Sequence, residues 1–261
     1  MITQFNILNK SINGLTGFSS PGFNTEWIKI FAQKNDLELV ESIAPLSDDN
    51  AIFEFQSNKL FLHMLLDGES SSIHFDLDEG SVGYRAKSVS KNNELIARAI
   101  GCKSHYRPRV LDATAGMGRD SFVMAKLGCD VLMQERCEPI YLLLENALNR
   151  LYESQPELKK YLQLQKSNSI ESFDTLEMID VIYLDPMFPG RKKSALVKKE
   201  MRLFKLLAGE DCDADSLLTH ALTANVKRVV VKRPKGAPQL KALKPSHEII
   251  SKNFRFDVYL N

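Results

Sequence analysis

The stretch Val181-Ile-Tyr-Leu-Asp-Pro-Met-Phe-Pro189 constrains this chain more than any other. Its first four residues form an apolar run of the length and type expected of a buried strand. Asp185 falls where that strand runs out, at the carboxyl edge of a sheet, and open α/β sheets bind their ligands at that edge. Pro186 fixes φ and has no N–H, so the turn presents carbonyl acceptors. Phe188 adds a flat face on which a base can stack. An acid, a carbonyl and an aromatic plate together suit a planar ring that carries an exocyclic NH2. The plain alternative is an ordinary turn after a core strand, with Phe188 packed inside.

A second segment, Arg109-Val-Leu-Asp-Ala-Thr-Ala-Gly-Met-Gly-Arg-Asp120, repeats the pattern of a short apolar run closed by an acid, Asp112. Gly116 and Gly118 then make a small-residue turn, and a helix is expected to about Leu127, with Gly128 just past its end. Glycines at such a turn let the backbone come close to a ligand. The dinucleotide fingerprint has a third glycine where this chain has Ser121. Arg119 and Asp120 open the helix, and a carboxylate there would repel a pyrophosphate. S-adenosylmethionine, whose methionine end is a zwitterion, fits such a loop better. The next strand, Cys129–Met133, leads to Glu135. That acid stands about 20 residues after the glycine loop, the spacing of a ribose-hydroxyl acceptor. A helix is expected from Pro139, with Ile140, Leu143, Leu144, Ala147, Leu148 and Leu151 on its core stripe. Tyr161–Gln165 reads as a third strand before the polar turn Ser167-Asn168-Ser169, which suits contact with an adenine edge or simple solvation.

Four segments resemble the ribosomal RNA small subunit methyltransferase J family: Asp112–Asp120, Asp185–Pro189, Lys193-Ser-Ala-Leu-Val-Lys-Lys-Glu-Met-Arg202 and Lys227-Arg-Val-Val-Val-Lys-Arg-Pro234. The resemblance spans residues 91–259 and is most specific over 185–202. It implies an α/β fold, the Rossmann-like seven-stranded sheet of class I S-adenosylmethionine-dependent methyltransferases. It implies methyl transfer from S-adenosylmethionine to guanine N2 of 16S rRNA in the small ribosomal subunit, with S-adenosylhomocysteine as product, no metal, and a bacterial cytoplasmic setting. It also implies cofactor contacts at Arg119, Asp120, Glu135, Arg136, Asn168, Ser169 and Asp185, to which the loop itself adds Asp112, Gly116 and Gly118. Met187 replaces the second proline of the broader Asp-Pro-Pro-Tyr/Phe pattern of amino methyltransferases, a substitution that looks normal within this family.

Net charge is only +1, so an RNA-binding reading depends on where the charge lies. Arg191, Lys192, Lys193, Lys198, Lys199, Arg202 and Lys205 follow the Asp-Pro turn, and a second basic region runs from Lys227 to Lys244. Of these, Arg191, Lys192, Lys193, Lys198, Lys199 and Arg233 are the candidate phosphate contacts. The four cysteines include no Cys-x-x-Cys pair and read as reduced structural thiols. The amino terminus lacks a secretory pattern, and no run approaches the ~20 apolar residues of a membrane span.

The chain is expected to divide near residue 90. Residues 1–90, with strands near Ala51–Phe55, Leu60–Leu66 and Ser72–Leu77 and a helix over Thr25–Asn35, form a small α+β cap. Residues 91–261 carry the alternating βα pattern, with Val229–Val231 and Phe254–Leu260 as later strands. In the methyltransferase topology the last of these inserts antiparallel. The proposed chemistry places the Asp185 carboxylate and the Pro186 carbonyl on the two hydrogens of an amine, with Phe188 stacked on its ring. Competing readings are an amino methyltransferase for adenine or cytosine in RNA or DNA, a noncatalytic RNA-binding protein on the same scaffold, and a nicotinamide oxidoreductase.

Overall fold

The computed structural model describes residues 2, 4–8, 25–40, 46–78, 94–173, 178–187, 199–209 and 213–261. The expected boundary near residue 90 lies outside them, as do Phe188, Pro189, Arg191, Lys192, Lys193 and Lys198. The chain forms two compact units, residues 1–75 with 193–209, and residues 76–192 with 210–261.

In the first unit, β1 (Gln4–Leu8), β2 (Glu38–Val40), β3 (Asn50–Gln56), β4 (Lys59–Leu66) and β5 (Glu69–Ile73) form a sheet in the order β2-β1-β3-β4-β5. The last three are an antiparallel meander, as the alternating pattern requires: Leu60, Leu62, Met64 and Leu66 of β4 are buried and the residues between them are not. Two-residue turns close both hairpins, Ser57-Asn58 and Asp67-Gly68, each with positive φ at both positions. That backbone matches the strand twist. β1 instead runs parallel to both β2 and β3, a pairing for which the sequence carries no local signal. Helix α1 (Thr25–Lys34) lays the Phe31 ring edge-on to Phe55, 5.2 Å between centroids. Helix α6 (Lys199–Ala208), far along the chain, belongs to this unit as well. Its Arg202 donates to both carboxylate oxygens of Asp67, at 2.8 and 2.7 Å, and Phe204 lies against Phe75.

In the second unit, the described strands are β6 (Arg109–Asp112), β7 (Asp130–Glu135), β8 (Leu162–Lys166), β9 (Val181–Leu184), β10 (Arg228–Pro234), β11 (His247–Ile250) and β12 (Phe254–Leu260). They form a seven-stranded sheet in the order β11-β12-β10-β9-β6-β7-β8. The run from β10 to β8 is parallel throughout, and β12 inserts antiparallel beside β10. Helices α2 (Leu95–Ala99), α3 (Arg119–Lys126), α4 (Glu138–Ser154), α5 (Ser169–Ser172) and α7 (Ala214–Thr223) accompany it. All four residues of β9 are buried, which explains their unbroken apolar run. Leu217, Leu218 and Ala221 of α7 pack on Leu111, Ile182, Leu184, Val229 and Val231. Each fully buried Leu or Val there contributes roughly 1.5–3 kcal/mol.

This order fixes where a ligand can sit. From β6 the chain steps outward to β7 and β8, then returns to the other flank of β6 with β9 and continues outward to β10. The winding therefore reverses between β6 and β9, and the crevice beyond their carboxyl ends is the place that such sheets leave open.

Candidate functional site

The two acids at strand ends, Asp112 as the last residue of β6 and Asp185 just after β9, flank that reversal. The loop that follows Asp112 is fixed on both sides. Ala113 donates its N–H to the Tyr183 carbonyl on β9 at 3.0 Å, and Ala115 donates to the Gln134 carbonyl on β7 at 3.1 Å. Gly116 and Gly118 have φ of 53° and 70°, values that side-chain-bearing residues adopt only at a cost. At Gly118 space is tight as well: a Cβ would stand 2.7 Å from Cδ1 of Leu144 on α4, so that buried side chain would have to move.

Asp112 is 2 % exposed. It accepts the Ser121 hydroxyl at 2.5 Å and the Thr114 N–H at 3.2 Å. Burial pushes its carboxyl up to about 7, against the pull of those two hydrogen bonds, and the neighbouring Asp120 and Asp185 push the same way. The serine that departs from the dinucleotide fingerprint therefore holds the acid at the end of β6. Glu135, buried at the end of β7, accepts the Gly116 N–H at 3.0 Å and the Cys137 N–H at 2.8 Å. Burial raises its carboxyl despite those bonds. Both glycines therefore lie in a loop whose backbone is tied to the neighbouring acid.

Asp185 donates its N–H to the Thr114 hydroxyl at 2.7 Å and accepts Lys232 Nζ at 2.8 Å. The same ammonium reaches Asp120 at 2.7 Å, and that carboxylate oxygen also accepts the Tyr183 hydroxyl at 2.6 Å. Burial disfavours charge on Lys232, but Asp185 and Asp120 outweigh it and raise the ammonium above its ordinary value. The Tyr183 hydroxyl is pushed well up by burial, then by the surrounding carboxylates. Asp185 has a 40 % exposed side chain, so this linked cluster opens to solvent at its outer end.

The remaining candidates fall in different places. Ser169 donates its hydroxyl to the Ala113 carbonyl at 2.8 Å, which brings it under the loop. Asn168 donates to Glu171 at 2.8 Å at the start of α5. Arg136 is exposed and paired with Asp213. Arg119 opens α3 and is half-buried, and Pro186 is buried. Lys199 is exposed at the start of α6. Arg233 departs from the expectation of a phosphate contact: it is 4 % exposed, and its Nη2 donates to the Pro238 carbonyl at 3.0 Å. Adjacent strand residues point to opposite faces, so Lys232 reaches the acids while its neighbour turns into the protein.

A family model described as "Putative SAM-dependent methyltransferase" matches residues 37–261. A crystal structure of a SAM-dependent methyltransferase from Neisseria gonorrhoeae, 28 % identical, superposes with a TM-score of 0.70 over 98 % of this chain and 96 % of that one. Proteins of Shewanella loihica and Shewanella sediminis, both named ribosomal RNA small subunit methyltransferase J, are 45 % and 47 % identical over 219 residues, covering 82 % of this chain and 85 % of each relative. The chain belongs to the ribosomal RNA small subunit methyltransferase J family.

The donor set of this methyltransferase fits S-adenosylmethionine, on which its activity depends. That ligand carries an ammonium, a ribose diol and a sulfonium, and the adjacent strand ends present carboxylates in Asp112, Glu135 and Asp185 around a backbone loop without bulk. Among the described residues, no group of three or more His, Cys, Asp or Glu is placed to hold a metal ion, and no helix is long and apolar enough to cross a membrane. Three members of the cluster are not marked as site residues by the sequence. Thr114 reads as a plain loop residue, Tyr183 as part of an apolar run, and Lys232 as part of a basic region. A lysine directly after the Val229–Val231 run, on a strand beside β9, is the available signal for Lys232.

Proposed function

We propose that this chain methylates the exocyclic N2 of a guanosine in 16S rRNA of the small ribosomal subunit, in the cytoplasm. The position of Asp185 carries the reading: a solvent-facing acid at the reversal point, joined through Thr114 to the glycine loop of β6. The names of the Shewanella relatives supply the ribosomal substrate class.

S-adenosylmethionine supplies a methyl group already activated on a sulfonium. The difficult partner is the amine, whose lone pair is delocalised into the guanine ring. Asp185 and the Pro186 carbonyl each accept one of its hydrogens and draw the nitrogen toward a tetrahedral shape. With the cofactor bound, its sulfonium would supply the methyl and keep the electron pair of the broken C–S bond. The task of Asp185 and Pro186 is to hold the nitrogen with its lone pair free for that carbon, after which the nitrogen sheds one proton. Phe188 stacks on the base. Alignment of this kind is worth roughly 7–11 kcal/mol of barrier. Glu135 receives the ribose hydroxyls on lone pairs beyond those used by Gly116 and Cys137. Gly116 and Gly118 let the ligand approach, while Asp112, Arg119, Asp120, Arg136, Asn168 and Ser169 complete the cradle. Arg191, Lys192, Lys193, Lys198 and Lys199 contact phosphates, and counterion release supplies much of the affinity. Arg233, being buried, is left out of that set. We assign residues 1–90 to a smaller α+β domain and residues 91–261 to the methyltransferase domain, apart from residues 193–209, which belong to the smaller unit, and residues 76–90, which belong to the larger.

Nucleoside mass spectrometry after incubation of small-subunit rRNA with the chain and labelled S-adenosylmethionine tests the reading. Label in N2-methylguanosine, lost in Asp185→Ala while cofactor binding persists, is the expected result. Label in a methylated adenosine or cytidine, or full activity in Asp185→Ala, overturns it.

A further inference from the structure

We propose that Lys232 is a positioning residue for the transfer: its ammonium fixes the Asp185 carboxylate as a charged hydrogen-bond acceptor aimed at the amine, instead of leaving it to act as a proton acceptor. The inference rests on the assignment of Asp185 to the reacting amine.

Register places the two residues side by side. Val231 of β10 pairs with Leu184 of β9, so Lys232 and Asp185 each come one residue later on adjacent parallel strands. The stem of Lys232 lies at the end of a core strand, and its Nζ is 2.7 Å from Asp120 and 2.8 Å from Asp185. The Phe254 ring, 5.9 Å away, adds a weak attraction for the cation. This ammonium contacts Asp120 from α3 and Asp185 after β9; Asp112 of β6 lies close enough to both carboxylates to feel their charge, and the hydroxyl of Tyr183 on β9 donates to Asp120. Asp120 and Asp185, partly dry and sharing this one cation, do not both stay ionised once it is removed; one takes up a proton. Protonated, Asp185 would be a weaker acceptor and would carry an O–H that can turn toward the amine, so its pull on the amine hydrogens would fall. An ammonium bound to a carboxylate also weakens it as a base, so the proton shed by the methylated nitrogen passes to water. Lys232 thus sets both the direction and the charge of Asp185.

The test compares Lys232→Met and Lys232→Arg with the unaltered chain on small-subunit rRNA. In Lys232→Met, kcat should fall about 10²-fold, the cost of a misplaced group, with little change in the KM for RNA. The acid limb of its rate–pH profile should move up by about one pH unit or more, because the acids lose their cation. Lys232→Arg should restore the position of that limb. A Lys232→Met profile lowered uniformly, with its acid limb unmoved, would mean a merely structural role and overturn the proposal. A second measurement needs no substrate: carbon NMR of the side-chain carboxyl of Asp185, assigned through Asp185→Asn. Its titration should move to higher pH in Lys232→Met, and an unmoved titration overturns the proposal. If that titration moves but the unaltered chain transfers no methyl to guanosine, the clamp stands and the assignment of Asp185 to the amine fails.

Discussion

Gly118→Ala should destabilise this chain well beyond the usual effect of one methyl group. Two independent costs meet at this position. The backbone φ of 70° lies in the left-handed region, where a Cβ costs roughly 1–2 kcal/mol. The added carbon would also stand 2.7 Å from Leu144 Cδ1 and 3.4 Å from Leu77 Cδ2. Leu144 is 0 % exposed, so its methyl cannot swing into solvent, and forcing a core to accept extra bulk costs about 1–3 kcal/mol. The sum is about 2–5 kcal/mol, a large fraction of the stability of an ordinary domain. Urea denaturation followed by circular dichroism measures it, through the midpoint at constant slope. The double variant with Leu144→Val removes most of the collision but not the backbone cost, so it should fall short of the sum of the two single variants. An unchanged midpoint in Gly118→Ala would refute the reasoning, and strict additivity in the double variant would refute the collision.

Asp112→Asn should flatten one part of the pH dependence of stability. The folded carboxyl is raised from 3.8 to about 7, so the native chain keeps a proton that the unfolded chain has lost. The wild type therefore loses stability as pH rises from 3.8 through about 7, by up to about 4 kcal/mol, and levels off above. Denaturation at pH 5 and pH 8 should show the asparagine variant gaining on the wild type at the higher pH, and a constant difference would contradict this. Glu135→Ala should raise the dissociation constant for S-adenosylmethionine by titration calorimetry, roughly tenfold or more for a charge-assisted hydrogen bond of about 1.5–3 kcal/mol; an unchanged constant would leave Glu135 with only the backbone of its loop to hold. Neutralising Lys192, Lys193 and Lys198 together should lower the slope of RNA affinity against salt by up to about three phosphate contacts. A slope identical to that of the wild type would return those lysines to the solvated surface.

The parallel sheet is legible in the sequence because its inner strands are buried on both faces and read as short apolar runs, Val110-Leu111 and Val181–Leu184 among them. The acids at their ends stand out for the same reason: charge directly after such a run marks the edge of the core. What stays hidden depends on contacts between distant segments. β2 has three residues, none of them fully buried, and β11 has only Ile249 buried, so neither carries a periodic signal. The place of α6 in the first unit is decided by partners such as Asp67 and Phe75, more than a hundred residues earlier. Lys232 and Arg233 look equivalent among the basic residues, yet the pleat sends one to the acids and buries the other. Tyr183 reads as core, and its ring is, but its hydroxyl reaches Asp120.

The amide bonds from Ala113 to β9 and from Ala115 to β7 have an effect on recognition kinetics. A glycine loop left hanging in solvent would have to be ordered by each incoming ligand, at a cost in affinity. Here the flanking strands have already ordered it, so a ligand meets a finished surface and its arrival rate should show little sign of a slow rearrangement at this loop. The same anchoring makes the loop a reporter of the sheet. A core substitution that shifts β7 or β9 against β6 by a fraction of an ångström would displace the loop with it, and weaken ligand binding from a position that no ligand touches.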